Sequence, residues 1–151
     1  RLQGDWSSDV CSSDLVELAI EGFRLDTGAY PTSTIFRLSF NSAAQQTNSW
    51  LLYTQLAGGS KKYFTFSKNQ LASSGGLTII VDPFGTPYAY FCPVSNVTRF
   101  VDNVASNEVG GLVNKVSFDL FSFGSDSATY VSGSTWATDP ARSVDDITNW
   151  K

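Results

Sequence analysis

The order of the hydrophobic periods constrains this chain most. Helical spacing occurs only in its first part, and every later apolar run is a short segment bounded by glycine, proline or serine. Val16, Ala19, Ile20 and Phe23 fall on one helical face within Val16–Asp26, and the charges lie mostly opposite. Gly28 is placed to stop that helix, and Pro31 forbids its quick resumption. Asn41 is placed to cap a second helix over Ala43–Leu56, with Trp50, Leu51, Tyr53 and Leu56 predicted to face inward and Gly58-Gly59 to end it. The strand candidates are Tyr63–Phe66, Leu77–Val81, Tyr88–Phe91 and Val116–Phe121, with Ser73–Gly76 read as a loop. Helices first and strands later predict an α+β fold with an antiparallel sheet rather than βαβ winding.

The first fifteen residues stand apart. Arg1 to Leu15 back-translate into an indexed short-read sequencing adapter read in frame, so they are excluded from fold reasoning. The chain also contains no methionine and is read as a fragment of a longer frame whose true beginning is lost. No N-cap signal precedes Val16, as expected of a helix entering from upstream.

The exclusion changes what composition implies. Without Arg1, Asp5, Asp9 and Asp14, the ten basic and fourteen acidic residues become nine and eleven. This mild acidity offers no basic face for nucleic acid. Cys11 leaves with the adapter, so Cys92 stands alone, no intrachain disulfide forms, and a buried apolar role is expected for it. The chain has no histidine, which removes Ser/His and Cys/His catalytic pairs and histidine-ligated metals. No segment has the length and apolarity to span a membrane. The remaining 16–151 is the size of one domain, and 42% hydrophobic residues suffice for a packed core.

The chain's end carries the strongest chemical signal. Val116–Phe121 runs into Ser122-Phe123-Gly124-Ser125-Asp126, and a polar loop ends in Ser143-Val144-Asp145-Asp146-Ile147-Thr148-Asn149-Trp150. Asp126, Asp145 and Asp146 stand at the two ends of that loop, and three like charges repel unless a cation sits among them. Calcium suits such a set, because it takes six to eight oxygen ligands from carboxylates, carbonyls and water. Ile147 and Trp150 would anchor the end to the body. The bland alternative is a solvated acidic loop.

Asp82-Pro83-Phe84-Gly85-Thr86-Pro87 reads as a turn. Proline fixes φ, Gly85 permits a positive φ, and the Asp82 side chain accepts bonds from the amides that follow. Gly58-Gly59-Ser60-Lys61-Lys62 lacks phosphate-loop spacing, and Asn96-Val97-Thr98 is a chance-level glycosylation match. Trp50, Tyr53, Tyr63, Phe64 and Phe66 read as core rather than a sugar platform.

Three of these stretches resemble, in the same order, the major pseudopilin of bacterial type II secretion systems. They are Ile20–Thr32 with its Tyr30-Pro31-Thr32 exit, Asp82–Tyr88, and Phe118–Asp126 with Asp145–Trp150. The resemblance implies a pilin-like head, in which the end of a long N-terminal helix packs on a small antiparallel sheet beside a second short helix and a calcium loop. It implies that the membrane helix and a leader removed by prepilin peptidase lie in the missing upstream sequence. It further implies a structural, non-enzymatic role as one subunit of a helical periplasmic filament anchored in the inner membrane, with other pseudopilins and the inner-membrane assembly platform as partners. By position, Asp126, Asp145 and Asp146 would be calcium ligands, and Phe123 and Ser143 would offer backbone carbonyls. Two departures stand out: eighteen residues separate Asp126 from Asp145, and Val94–Gly111 is longer than the family's turn. Asp139 inside the first insert is an additional candidate ligand. A type IV pilin or minor pseudopilin is the alternative, and a carboxylate-dependent hydrolase the more distant one.

Overall fold

The computed structural model describes residues 7–33, 43–92, 117–122, 124–126, 131–132, 135–136 and 147–148. Helix α1 spans Ser7–Thr27 and α2 spans Ala43–Ala57. The strands are β1 Leu71–Ser74, β2 Leu77–Ile80, β3 Ala89–Phe91, β4 Asp119–Ser122, β5 Val131–Ser132, β6 Thr135–Trp136 and β7 Ile147–Thr148. All the pairings are antiparallel: β1 with β2, β3 with β4, β4 with β7, and β5 with β6. The mixed α+β class predicted from the order of periods is therefore observed.

Helix α1 enters Val16 from upstream and passes through Ser7–Leu15, the stretch attributed to an adapter. Val16, Ala19 and Ile20 are buried as their spacing predicts. Burying Val16 and Ile20 stabilises the fold by roughly 1.5–3 kcal/mol each. The helix stops where predicted, at Gly28: its amide still bonds to the Arg24 carbonyl at 2.8 Å, and its φ of 81° turns the following chain out of the helix.

Helix α2 has the predicted extent, and Leu56 is buried as predicted, but the rest of the inward face differs: Leu52, Asn48 and Ser49 are fully buried with it, while Trp50, Leu51 and Tyr53 are half-buried. Positions 48, 52 and 56 form a single ridge at four-residue spacing, and that ridge meets β2 and β3. Asn41 lies outside the described residues.

Two strand expectations need correction. Tyr63–Phe66 is irregular, because the Tyr63 and Phe64 amides bond to the Leu56 carbonyl (2.8 and 3.3 Å) and so finish α2. Their rings pack among themselves and on both helices, with Phe23–Tyr63 centroids 5.1 Å apart and Phe64–Phe66 centroids 4.6 Å apart. Ser73–Gly76 is not all loop: β1 ends at Ser74, and Gly75 and Gly76 (φ 59° and 82°) make the two-residue hairpin into β2.

The β1–β2 hairpin joins the central sheet through a Val81–Pro87 bridge and a Tyr88 amide to Ile80 carbonyl bond at 3.0 Å. Along β3 and β4 the side chains alternate. Tyr88, Tyr90, Phe118 and Leu120 join the cluster with α1 and α2. Ala89, Phe91, Asp119 and Phe121 occupy the opposite face and are buried too, with the Phe91 and Phe121 rings stacked at 6.0 Å. Cys92 is buried, as expected, and its amide bonds to Ser33 Oγ. Val116 and the insertion at Val94–Gly111 lie outside the described residues.

Candidate metal centre and the turn beneath it

The turn after β2 is a three-residue hairpin loop. The Gly85 amide bonds to the Asp82 carbonyl at 3.0 Å and the Asp82 amide to the Thr86 carbonyl at 2.9 Å. Pro83 supplies the first turn conformation, and Gly85 (φ 87°) takes the left-handed position such loops require. Its tip is outside and its base inside: Phe84 is 53% exposed, whereas Asp82 is 1% and Thr86 6% exposed.

A buried carboxylate without donors would be costly, and Asp82 is well supplied. Its Oδ1 accepts the amides of Phe84 (2.9 Å) and Thr86 (2.8 Å), as the sequence predicts. Its Oδ2 accepts the Ser122 hydroxyl at 2.5 Å. Burial pushes the Asp82 carboxyl above the usual aspartate range, opposed by the Ser122 hydroxyl and by the amides of Thr86, Phe84 and Gly85. With its oxygens so engaged, Asp82 serves the turn rather than a reacting group.

Ser122 ends β4, and two residues later Gly124 (φ 63°) opens a single 3₁₀ turn, Gly124–Asp126. The Gly124 amide bonds to Ser122 Oγ at 3.3 Å, and the Gly124 carbonyl accepts the Thr86 hydroxyl at 2.9 Å. The base of the C-terminal loop is thus fastened to the Asp82–Thr86 turn. Sequence alone assigns no role to Ser122 or Thr86; its one signal is a hydroxyl residue at each of two element ends.

The chain returns to this point. Strand β7 pairs with β4 in the register Phe121↔Thr148 and Ser122↔Ile147, and α1 lies beside it. Asp126 closes the 3₁₀ turn on one side of the loop. On the other side, Asp145 and Asp146 directly precede Ile147, whose backbone is opposite Ser122. Phe123, Asp139, Ser143, Asp145, Asp146 and Trp150 lie outside the described residues. Among the described residues no group of three His, Cys, Asp or Glu stands ready to hold a metal, and no helix is long and apolar enough to cross a membrane.

No family model, curated protein or solved structure matches this chain. The site's chemistry is therefore read from its own donors. Asp126, Asp145 and Asp146 are carboxylate residues, and this stretch holds no histidine or cysteine; a cation held there would meet oxygen ligands, which suit a hard ion.

Proposed function

We propose that this chain is a structural subunit of the type II secretion pseudopilus, a pilin-like head whose C-terminal loop is clipped by calcium. One observation supports this above others: the Ser122↔Ile147 register returns the residues just after Asp145-Asp146 to the strand that leads into Asp126. A loop bearing carboxylates at both ends is thereby closed at its base. Asp126, Asp145 and Asp146, with the carbonyls of Phe123 and Ser143, would hold the ion. When bound, calcium offsets the mutual repulsion of the carboxylates and fixes the loop. The chain's own part is to bring the two ends together and to seat the first of them on the Asp82–Thr86 turn.

The amphipathic α1 and the antiparallel sheet behind it suit a head carried on a longer helix. In this reading the upstream sequence supplies the inner-membrane helix, and subunits leave the membrane to stack head to tail into an open periplasmic filament. The other pseudopilins and the assembly platform are the further partners.

Calorimetry tests the clip. Calcium should raise the melting temperature of the chain, and chelator should reverse the rise; equal melting in both sinks the clip. Grafting residues 16–151 behind the membrane helix of a known major pseudopilin, in a strain lacking its own, tests the filament role by restored secretion. Failure of a well-expressed graft to restore export would count against that role.

A further inference from the structure

We infer that Asp82 and Thr86 are positioning residues for the C-terminal loop, acting through Ser122 and Gly124; their effect on calcium affinity rests on the proposed clip. The argument is an accounting of hydrogens. Ser122 has one hydroxyl proton and gives it to Asp82 Oδ2, which turns a lone pair toward the Gly124 amide. Thr86 spends its proton on the Gly124 carbonyl. The Gly124 carbonyl is therefore held directly, and its amide by way of Ser122, by a turn about forty residues earlier in the chain, and Asp82, Thr86 and Ser122 are all buried. Gly124 is the first residue of the turn that presents Asp126, in a left-handed conformation that β4 alone does not impose. The buried link selects that conformation before any ion arrives, so the cost of ordering the loop is met partly in the fold itself.

Asp82→Asn isolates the link. The amide oxygen still accepts the Phe84 and Thr86 amides, so the turn survives. The amide nitrogen, however, faces Ser122 as a donor, and the Ser122 proton loses its acceptor. Thr86→Val removes the second tie at nearly constant shape. Amide exchange by NMR on the whole 151-residue chain, in chelator and in calcium, reads both. Each variant should speed exchange at Gly124 and Ser125 by roughly tenfold while Leu52 and Leu56 in α2 keep their wild-type rates. The calcium dissociation constant should rise by about tenfold at the same time. Unchanged exchange at Gly124 in both variants would overturn the inference, as would equal acceleration at Gly124 and Leu52, which marks plain destabilisation. Should Asp82→Asn not fold, Thr86→Val decides by the same readings. If wild type binds no calcium the clip fails, and exchange at Gly124 in chelator still decides whether the turn positions the loop.

Discussion

Ser49 of α2 holds both backbone groups of Ile80 in β2: its Oγ accepts the Ile80 amide at 2.9 Å and donates to the Ile80 carbonyl at 3.1 Å. The Val81 amide bonds to the Gln70 carbonyl, so in the alternating antiparallel ladder the main chain of Ile80 points away from β1 and toward the helix. The Ile80 carbonyl also accepts the Tyr88 amide at 3.0 Å, and the hydroxyl supplies the acceptor for the Ile80 amide beside it. Ser49→Ala strands the Ile80 amide and is expected to cost about 1–3 kcal/mol, measured by urea denaturation.

The inward ridge of α2 gives a second contrast. Leu52→Ala removes a fully buried side chain and should cost about 2–5 kcal/mol. Leu51→Ala, half-buried on the neighbouring face, should cost less than about 1.5 kcal/mol. Equal losses for the two would mean that the helix is rotated from the position described.

Two glycines should respond to alanine with opposite signs. A Cβ on Gly22, inside α1, meets nothing within 4 Å, so Gly22→Ala should stabilise by about 0.5–1 kcal/mol through helix propensity. A Cβ on Gly58 falls 2.8 Å from the Thr54 carbonyl oxygen, whose bond to the Gly58 amide ends α2. Gly58→Ala should therefore destabilise by about 1–3 kcal/mol through overpacking, read as a lower melting temperature.

Acid should be felt at Asp26. Its Oδ1 accepts Lys61 Nζ at 2.7 Å and its Oδ2 the Tyr63 hydroxyl at 2.6 Å, tying α1 to the segment after α2. The bonds from Lys61 and Tyr63 hold the Asp26 carboxyl below the usual aspartate range. A depressed folded value means that its contribution is present above about pH 4, the range of an unfolded aspartate, and is lost as pH falls through the folded value. The melting-temperature gap between wild type and Asp26→Asn should accordingly shrink on acidification. It should also shrink with added salt, because the pair is exposed.

At the loop, Asp126→Asn and the double change Asp145→Asn, Asp146→Asn should each abolish most of the calcium-dependent rise in melting temperature. Neither should lower stability in chelator, since on the proposed clip each change removes like charge from a repelling set. A variant that keeps the full rise takes its residue out of the ligand set.

What could be read from sequence divides along a physical line. Features governed by near neighbours were legible: the buried face of α1, the stop at Gly28 and the Asp82 turn depend on residues within a few positions. On α2 the sequence places Leu56 inward correctly, but Trp50, Leu51 and Tyr53 outweigh Asn48 and Ser49 in apolarity, while Ser49 is drawn in by a bond to a residue 31 positions away. Strand β1 escapes a sequence reading because Leu71-Ala72-Ser73-Ser74 has little strand propensity and Ser73–Gly76 together read as a loop. The aromatic run at Tyr63–Phe66 looked like a strand, but its first two amides were needed by the end of α2. Of the site, the carboxylates were readable as residue types. The tie from Ser122 to Asp82 spans 40 positions, and no local pattern reports it.

Tight hairpins at Gly75-Gly76 and Pro83–Gly85 constrain how such a chain can vary. A single inserted residue there would slip the ladder by one and exchange its inner and outer faces. The spans from 93 to 116 and from 137 to 146 each connect two strands over many residues, and lengthening such connections costs only a slowly growing closure entropy. Evolution can therefore add length in those spans freely, whereas the segment from Leu71 to Phe91 must keep its count.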